Sequence, residues 1–145
     1  MNIYLSEEFI KLLSNLLKVK AHSNIEKILI ESLFNKSLEK LNTGIVRLKG
    51  NINDSFFLKK RIAQKGKGKS SGYRLYAWLI VVDNNLYLLY IHPKTGKYAQ
   101  ININKEKQAE LIETFKQKHT TNEFIKVCLS ENKIINCENR MQIFK

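Results

Sequence analysis

Apolar residues recur at helical spacing from Phe9 to Leu17 and again from Ile25 to Leu38, and beyond Gly44 the period switches to two. The first stripe, Phe9, Leu12, Leu13, Leu16 and Leu17, predicts an amphipathic helix with Ser6 as its cap and Glu7 and Glu8 in its first turn, where the helix dipole favours acids. A second helix is predicted with Ile25, Ile28, Leu29, Leu33 and Leu38 inward, opened by a Ser23/Glu26 capping box. Residues 2–5 read as a short strand, 46–49 and 56–63 as extended segments, and 73–82 and 86–92 as the strongest strands. Residues 104–119 return to helix, with Leu111, Ile112 and Phe115 inward. Residues 120–145 read either as another helix, capped by Thr120 and Glu123, or as a hairpin. The expected architecture is α+β. Its small, mostly antiparallel sheet of about four strands carries an N-terminal helical hairpin on one face, and a C-terminal helix follows.

The hairpin between the two strong strands decides which side chains share a face. A three-residue loop at 83–85 pairs residue 82 with 86, Tyr76 with His92 and Arg74 with Lys94. A one-residue slip would exchange the faces of the second strand. In this register Leu75, Ala77, Leu79, Val81, Tyr87, Leu89 and Ile91 make a core face. Arg74, Tyr76, Trp78, Tyr90, His92 and Lys94 make an open one.

Charge sharpens that picture. The 145-residue chain carries 25 Lys and Arg against 13 Asp and Glu, a net charge of +12, which favours a polyanionic partner. The excess is local: Lys59, Lys60, Arg61, Lys65, Lys67, Lys69 and Arg74 follow one another with no acid among them. They crowd the mouth of an apolar strand, where their mutual repulsion is relieved by a phosphate. Cys128 and Cys137 read as free thiols, and with His22, His92 and His119 they match no zinc spacing. No apolar run reaches the length of a membrane-spanning helix, and the start lacks a signal-peptide pattern, so a cytoplasmic location is expected.

The segments GKGKSSGYRLY (66–76) and LYLLYIHPKTG (86–96), with the element order, resemble the RelE/ParE/HigB superfamily of bacterial type II toxins over roughly residues 1–117. The resemblance implies a toxin domain at 1–119, with 120–145 as an extension packed on it. It further implies a cognate antitoxin, and cleavage of messenger RNA in the ribosomal A site with neither metal nor cofactor. Arg74 matches the arginine of the family's S-x-G-Y-R motif, and Lys94 the basic residue after the hairpin. Lys67 and Lys69 match the basic positions before the motif, and Tyr98 lies nearest to the expected C-terminal aromatic.

The chemistry of the residues agrees with that implication. Arg74 suits a bidentate grip on a phosphorane, a crowded lysine such as Lys67 or Lys69 can act as base, and Lys94, His92 or Tyr98 can protonate the leaving oxygen. Lys59, Lys60, Arg61, Lys65 and Lys97 are expected to contact RNA, and Tyr76 to stack on a base. Two alternatives stay open: a gyrase-directed toxin of the ParE branch and a basic RNA-binding protein, both non-catalytic. The cations favour the RelE/HigB branch.

Overall fold

The computed structural model describes residues 1–41, 44–63, 72–95, 99 and 102–144. Strand β1 (Asn2–Leu5) leads into α1 (Glu7–Leu17), where the Ser6 hydroxyl accepts from the Phe9 amide at 3.1 Å as expected of the cap. Phe9, Leu13 and Leu16 are its buried stripe. Helix α2 (Ile25–Leu33) buries Ile25, Ile28, Leu29 and Leu33. Asn35 then turns the chain in the left-handed region, so Leu38 falls in a separate short helix, α3 (Leu38–Leu41).

The Ser23/Glu26 capping box does not form. Asn24 is the cap residue of α2, and the Ser23 hydroxyl donates instead to the Lys20 carbonyl. Glu26 reaches across the molecule: it accepts from the Ile134 amide at 2.9 Å and pairs with Lys133 at 3.5 Å. Glu26→Ala leaves that buried amide without its acceptor and should cost about 1–3 kcal/mol in a denaturant melt. A variant as stable as wild type would show that this tie carries no weight.

The other strands are β2 (Ile45–Asn51), β3 (Ser55–Ile62), β4 (Tyr73–Ile80), β5 (Asn85–Pro93), β6 (Ile125–Ser130) and β7 (Lys133–Asn136), with α4 (Lys105–Thr120) between β5 and β6. They form one mixed sheet of seven strands, in the order β2-β3-β4-β5-β1-β6-β7. This corrects the expected four-stranded sheet. β1 lies inside it, parallel to β5 and antiparallel to β6. Of the two readings of residues 120–145, the hairpin is the one formed. Asn122, left-handed at φ 56°, follows α4, and Glu131 and Asn132 make the turn with φ of 50° and 61°.

Helices also cover both faces rather than one. Leu75, Ala77, Leu79, Leu86, Leu88 and Ile91 form a cluster with the apolar residues of α1 and α2. Phe57, Tyr76, Tyr87 and Leu89 cluster with Leu111, Ile112 and Phe115 of α4, and Trp78 stacks on Phe115 at 4.8 Å.

The β4–β5 hairpin explains the difference. Ile80 pairs with Asn85, so the loop holds four residues, with Asn84 left-handed. A bulge then shifts the register, after which Tyr76 faces Tyr90 and Arg74 faces His92. Beyond the bulge the departure from the expected register is even, and Arg74, Tyr76, Tyr90 and His92 keep a common face. On the turn side it is odd. Tyr87 therefore sits opposite Trp78, and Leu86 and Leu88 take the core positions expected of Tyr87 and Leu89. The aromatic face this creates is what α4 covers.

Candidate functional site

Strand alternation sorts the basic segment. Phe57 faces α4, and Lys59 and Arg61 share its side of β3, whereas Lys60 points the other way. Arg61 pairs with Arg74, and Arg74 with His92, so two guanidiniums and an imidazole stand in register across three strands. Lys94 follows at the end of β5, its amide donating to the Gly72 carbonyl at 3.0 Å. The glycine is a steric requirement: a Cβ there would stand 2.2 Å from the Ile62 carbonyl oxygen. It lets β3 and β4 close together just before Arg74.

A cavity of about 330 Å³ lies over this end of the sheet, lined by Lys59, Arg61, Arg74, Lys94, Asn102 and the start of β2. No carboxylate lines it among the described residues. The ion pairs of the described chain lie elsewhere, at Lys107–Glu110, Lys118–Glu8 and Lys133–Glu26. Lys59 donates to the Asn102 side chain at 3.1 Å. Arg74 is only 7% exposed, and its buried Nη1 has no hydrogen-bond partner among the described residues. Burial, with Arg61 beside it, lowers the Arg74 pKa from its ordinary value. The Lys94 ammonium is lowered likewise by desolvation and by Arg74, Arg61 and Lys59. Like charges in register and an unsatisfied buried donor both cost free energy, and an anion in the cavity relieves both.

His92, 2% exposed, is placed differently from a surface proton donor. Nδ1 lies 3.0 Å from the Pro93 carbonyl, which can only accept, so Nδ1 carries the proton. Nε2 then accepts from the Tyr76 hydroxyl at 3.4 Å, and that hydroxyl accepts from the Ile103 amide. Both ring nitrogens have partners, so His92 is placed as a support beside Arg74 rather than as an open group of the cavity.

Burial lowers the His92 pKa below its ordinary 6.5; the Pro93 carbonyl opposes this, and Arg74, Lys94 and Lys59 add to it. Below pH 6.5 the unfolded chain therefore binds a proton at this position that the folded chain refuses, so stability should fall as pH drops through 6.5. The slope from one such proton is at most about 1.4 kcal/mol per pH unit. Melts of wild type and His92→Asn between pH 5 and 8 check it: the variant should lose that part of the slope, and an unchanged slope would clear His92.

Other expectations are redistributed. Tyr76 is fully buried against Phe57 and His92, so it offers no free ring face to a base. Lys60 is buried on the opposite face and donates to the Leu41 carbonyl at the end of α3, which removes it from the RNA-binding set. Arg74, Lys94, Lys59 and Arg61 are brought together. Lys65, Lys67, Lys69, Lys97 and Tyr98 lie outside the described residues. Asn102 was not anticipated, and nothing in its loop sequence signals it.

Cys128 and Cys137 are unbridged, and burial with the adjacent Cys128 pushes the Cys137 thiol up to about 11. Among the described residues no group of three His, Cys, Asp or Glu is placed to hold a metal, and no helix is long and apolar enough to cross a membrane. Comparison with protein-family models, curated proteins and solved structures finds no match.

Proposed function

We propose that this chain is an endoribonuclease that acts without a metal on messenger RNA in the ribosomal A site, as the toxin of a toxin–antitoxin pair. Arg74 is the observation that carries the reading. Among the described residues, a buried guanidinium with an unpaired Nη1 faces Arg61 across the sheet, in a cavity whose other charged residues are Lys59 and Lys94. Such a set holds a phosphodiester and favours the extra charge of a phosphorane over the ground state.

Cleavage then proceeds by attack of the 2′-oxygen on its own phosphate, with departure of the 5′-oxygen. The guanidinium of Arg74 grips the equatorial oxygens. Lys94, half-buried and lowered in pKa by desolvation and by its cationic neighbours, gives a proton to the departing 5′-oxygen. The 2′-hydroxyl proton passes to Lys67 or Lys69, and a 2′,3′-cyclic phosphate is left. His92 and Tyr76 hold the end of β5 in place without touching substrate. A cognate antitoxin would cover the cations with acidic or apolar groups.

Induced expression in a bacterial host, with mapping of mRNA 5′ ends, tests the proposal. New 5′ ends inside translated messages and arrested growth are expected, both lost on Arg74→Ala.

A second reading, a non-catalytic RNA-binding module, is favoured by one observation: the two ring nitrogens of His92 are occupied, so Lys94 is left as the described proton carrier in the cavity. Ribosome binding without new 5′ ends would select it.

A further inference from the structure

We infer that the cavity between α1 and the end of β5 is a nucleobase subsite, which receives the base attached to the phosphate at Arg74. This rests on the nuclease reading above and adds to it the part of the substrate that gives sequence preference. The cavity is the larger of the two at this end of β5, about 550 Å³. It exists because β1 stops pairing with β5 at Leu88 while β5 runs on to Pro93. Past Leu88 that edge of β5 has no strand partner among the described residues, and α1 lies alongside it.

The lining matches the ligand chemistry. Leu12, Leu16, Val19 and Pro93 supply apolar walls for the faces of a planar ring. Asn15 lies at the rim, exposed, with no side-chain hydrogen bond among the described residues. Its amide offers one acceptor and two donors side by side, the pattern that reads a base edge.

The position fits as well. His92 and Pro93 line this cavity, the next residue, Lys94, lines the cationic one, and Arg74 pairs across the sheet with His92. The two cavities share no lining residue but take consecutive residues at the end of one strand, Pro93 on one side and Lys94 on the other. Apolar walls beside an exposed side-chain amide favour a planar ring over an extended peptide strand, which would add along the open edge of β5 instead.

Backbone-amide NMR shifts of the full chain test this, with inorganic phosphate, the four nucleoside 5′-monophosphates and the free nucleosides as probes. Phosphate should move amides around Arg61, Arg74 and Lys94. A mononucleotide should also move Leu12–Val19 and Tyr90–Pro93, with one base bound best. Asn15→Ala, a surface change, should weaken that mononucleotide about 10-fold and flatten the preference, leaving phosphate unaffected. Mononucleotide shifts confined to the phosphate set, or an intact preference in Asn15→Ala, would overturn the subsite. Nucleosides moving the α1 and β5 amides while the Arg74 cavity stays silent would uphold it and remove the nuclease reading. Silence at both cavities would remove both.

Discussion

On the proposed nuclease reading, Arg74→Met should abolish RNA cleavage and at the same time stabilise the folded protein. Methionine keeps the apolar stem but deletes a buried charge that faces Arg61 and carries an unpaired Nη1. Removing an unsatisfied buried donor and a cross-strand repulsion should raise the unfolding free energy by about 1 kcal/mol in phosphate-free buffer. Wild type should recover the difference as phosphate is added, by about 2.7 kcal/mol at 100 times the dissociation constant, and the variant should not respond.

Arg74→Lys divides catalysis from binding. It keeps the charge and loses the planar fork, so ribosome binding should stay within a few-fold while cleavage falls roughly 10²-fold or more. Single-turnover cleavage and denaturant melts read both quantities. A methionine variant several kcal/mol less stable than wild type would mean that Arg74 holds the fold together, and the anion site would go with it.

The crowding of charge at Arg74 also explains which part of the candidate site was legible in the sequence. A run of cations without acids against an apolar strand is a local conflict, and such conflicts mark binding sites. Strand alternation alone then puts Lys59 and Arg61 together and turns Lys60 away. Strands β1 to β5, α1 and α4 follow from period and caps, within a few residues of their observed ends, whereas β6 and β7 lie where a helix read equally well.

What was illegible is long-range. The four-residue loop and the bulge after Leu88 leave no mark in the sequence, yet the loop turns Tyr87 to the face that α4 covers and the bulge then returns Tyr90 and His92 to the side of Arg74. The recruitment of Glu26 by Ile134 spans 108 residues, and no local pattern announces it. Nor does β1 reveal from its four residues that it pairs on both sides.

That last pairing sets up the largest stability effect expected of this molecule. Residues 120–145 are expected from the sequence to pack on the preceding domain, and β6 lies in its sheet beside β1. Val127, Ile134 and Phe144 enter the same core cluster as Phe9, Leu29 and Leu79. Three buried side chains at about 1.5–3 kcal/mol each amount to roughly 5–9 kcal/mol, comparable to the whole stability of a domain this size. Glu26 would also be left with neither the Ile134 amide nor Lys133, and the inner edge of β1 would be bared as an aggregation template. A chain ending at Asn122 should therefore show no cooperative thermal transition and should collect in the insoluble fraction. It should also be harmless on expression, although every described cation of the site is retained. Circular dichroism melts and a solubility assay read the first two outcomes. A soluble, cooperatively melting truncation that still binds ribosomes would show that the seven-stranded sheet carries a dispensable edge, and that the folding unit closes at β1.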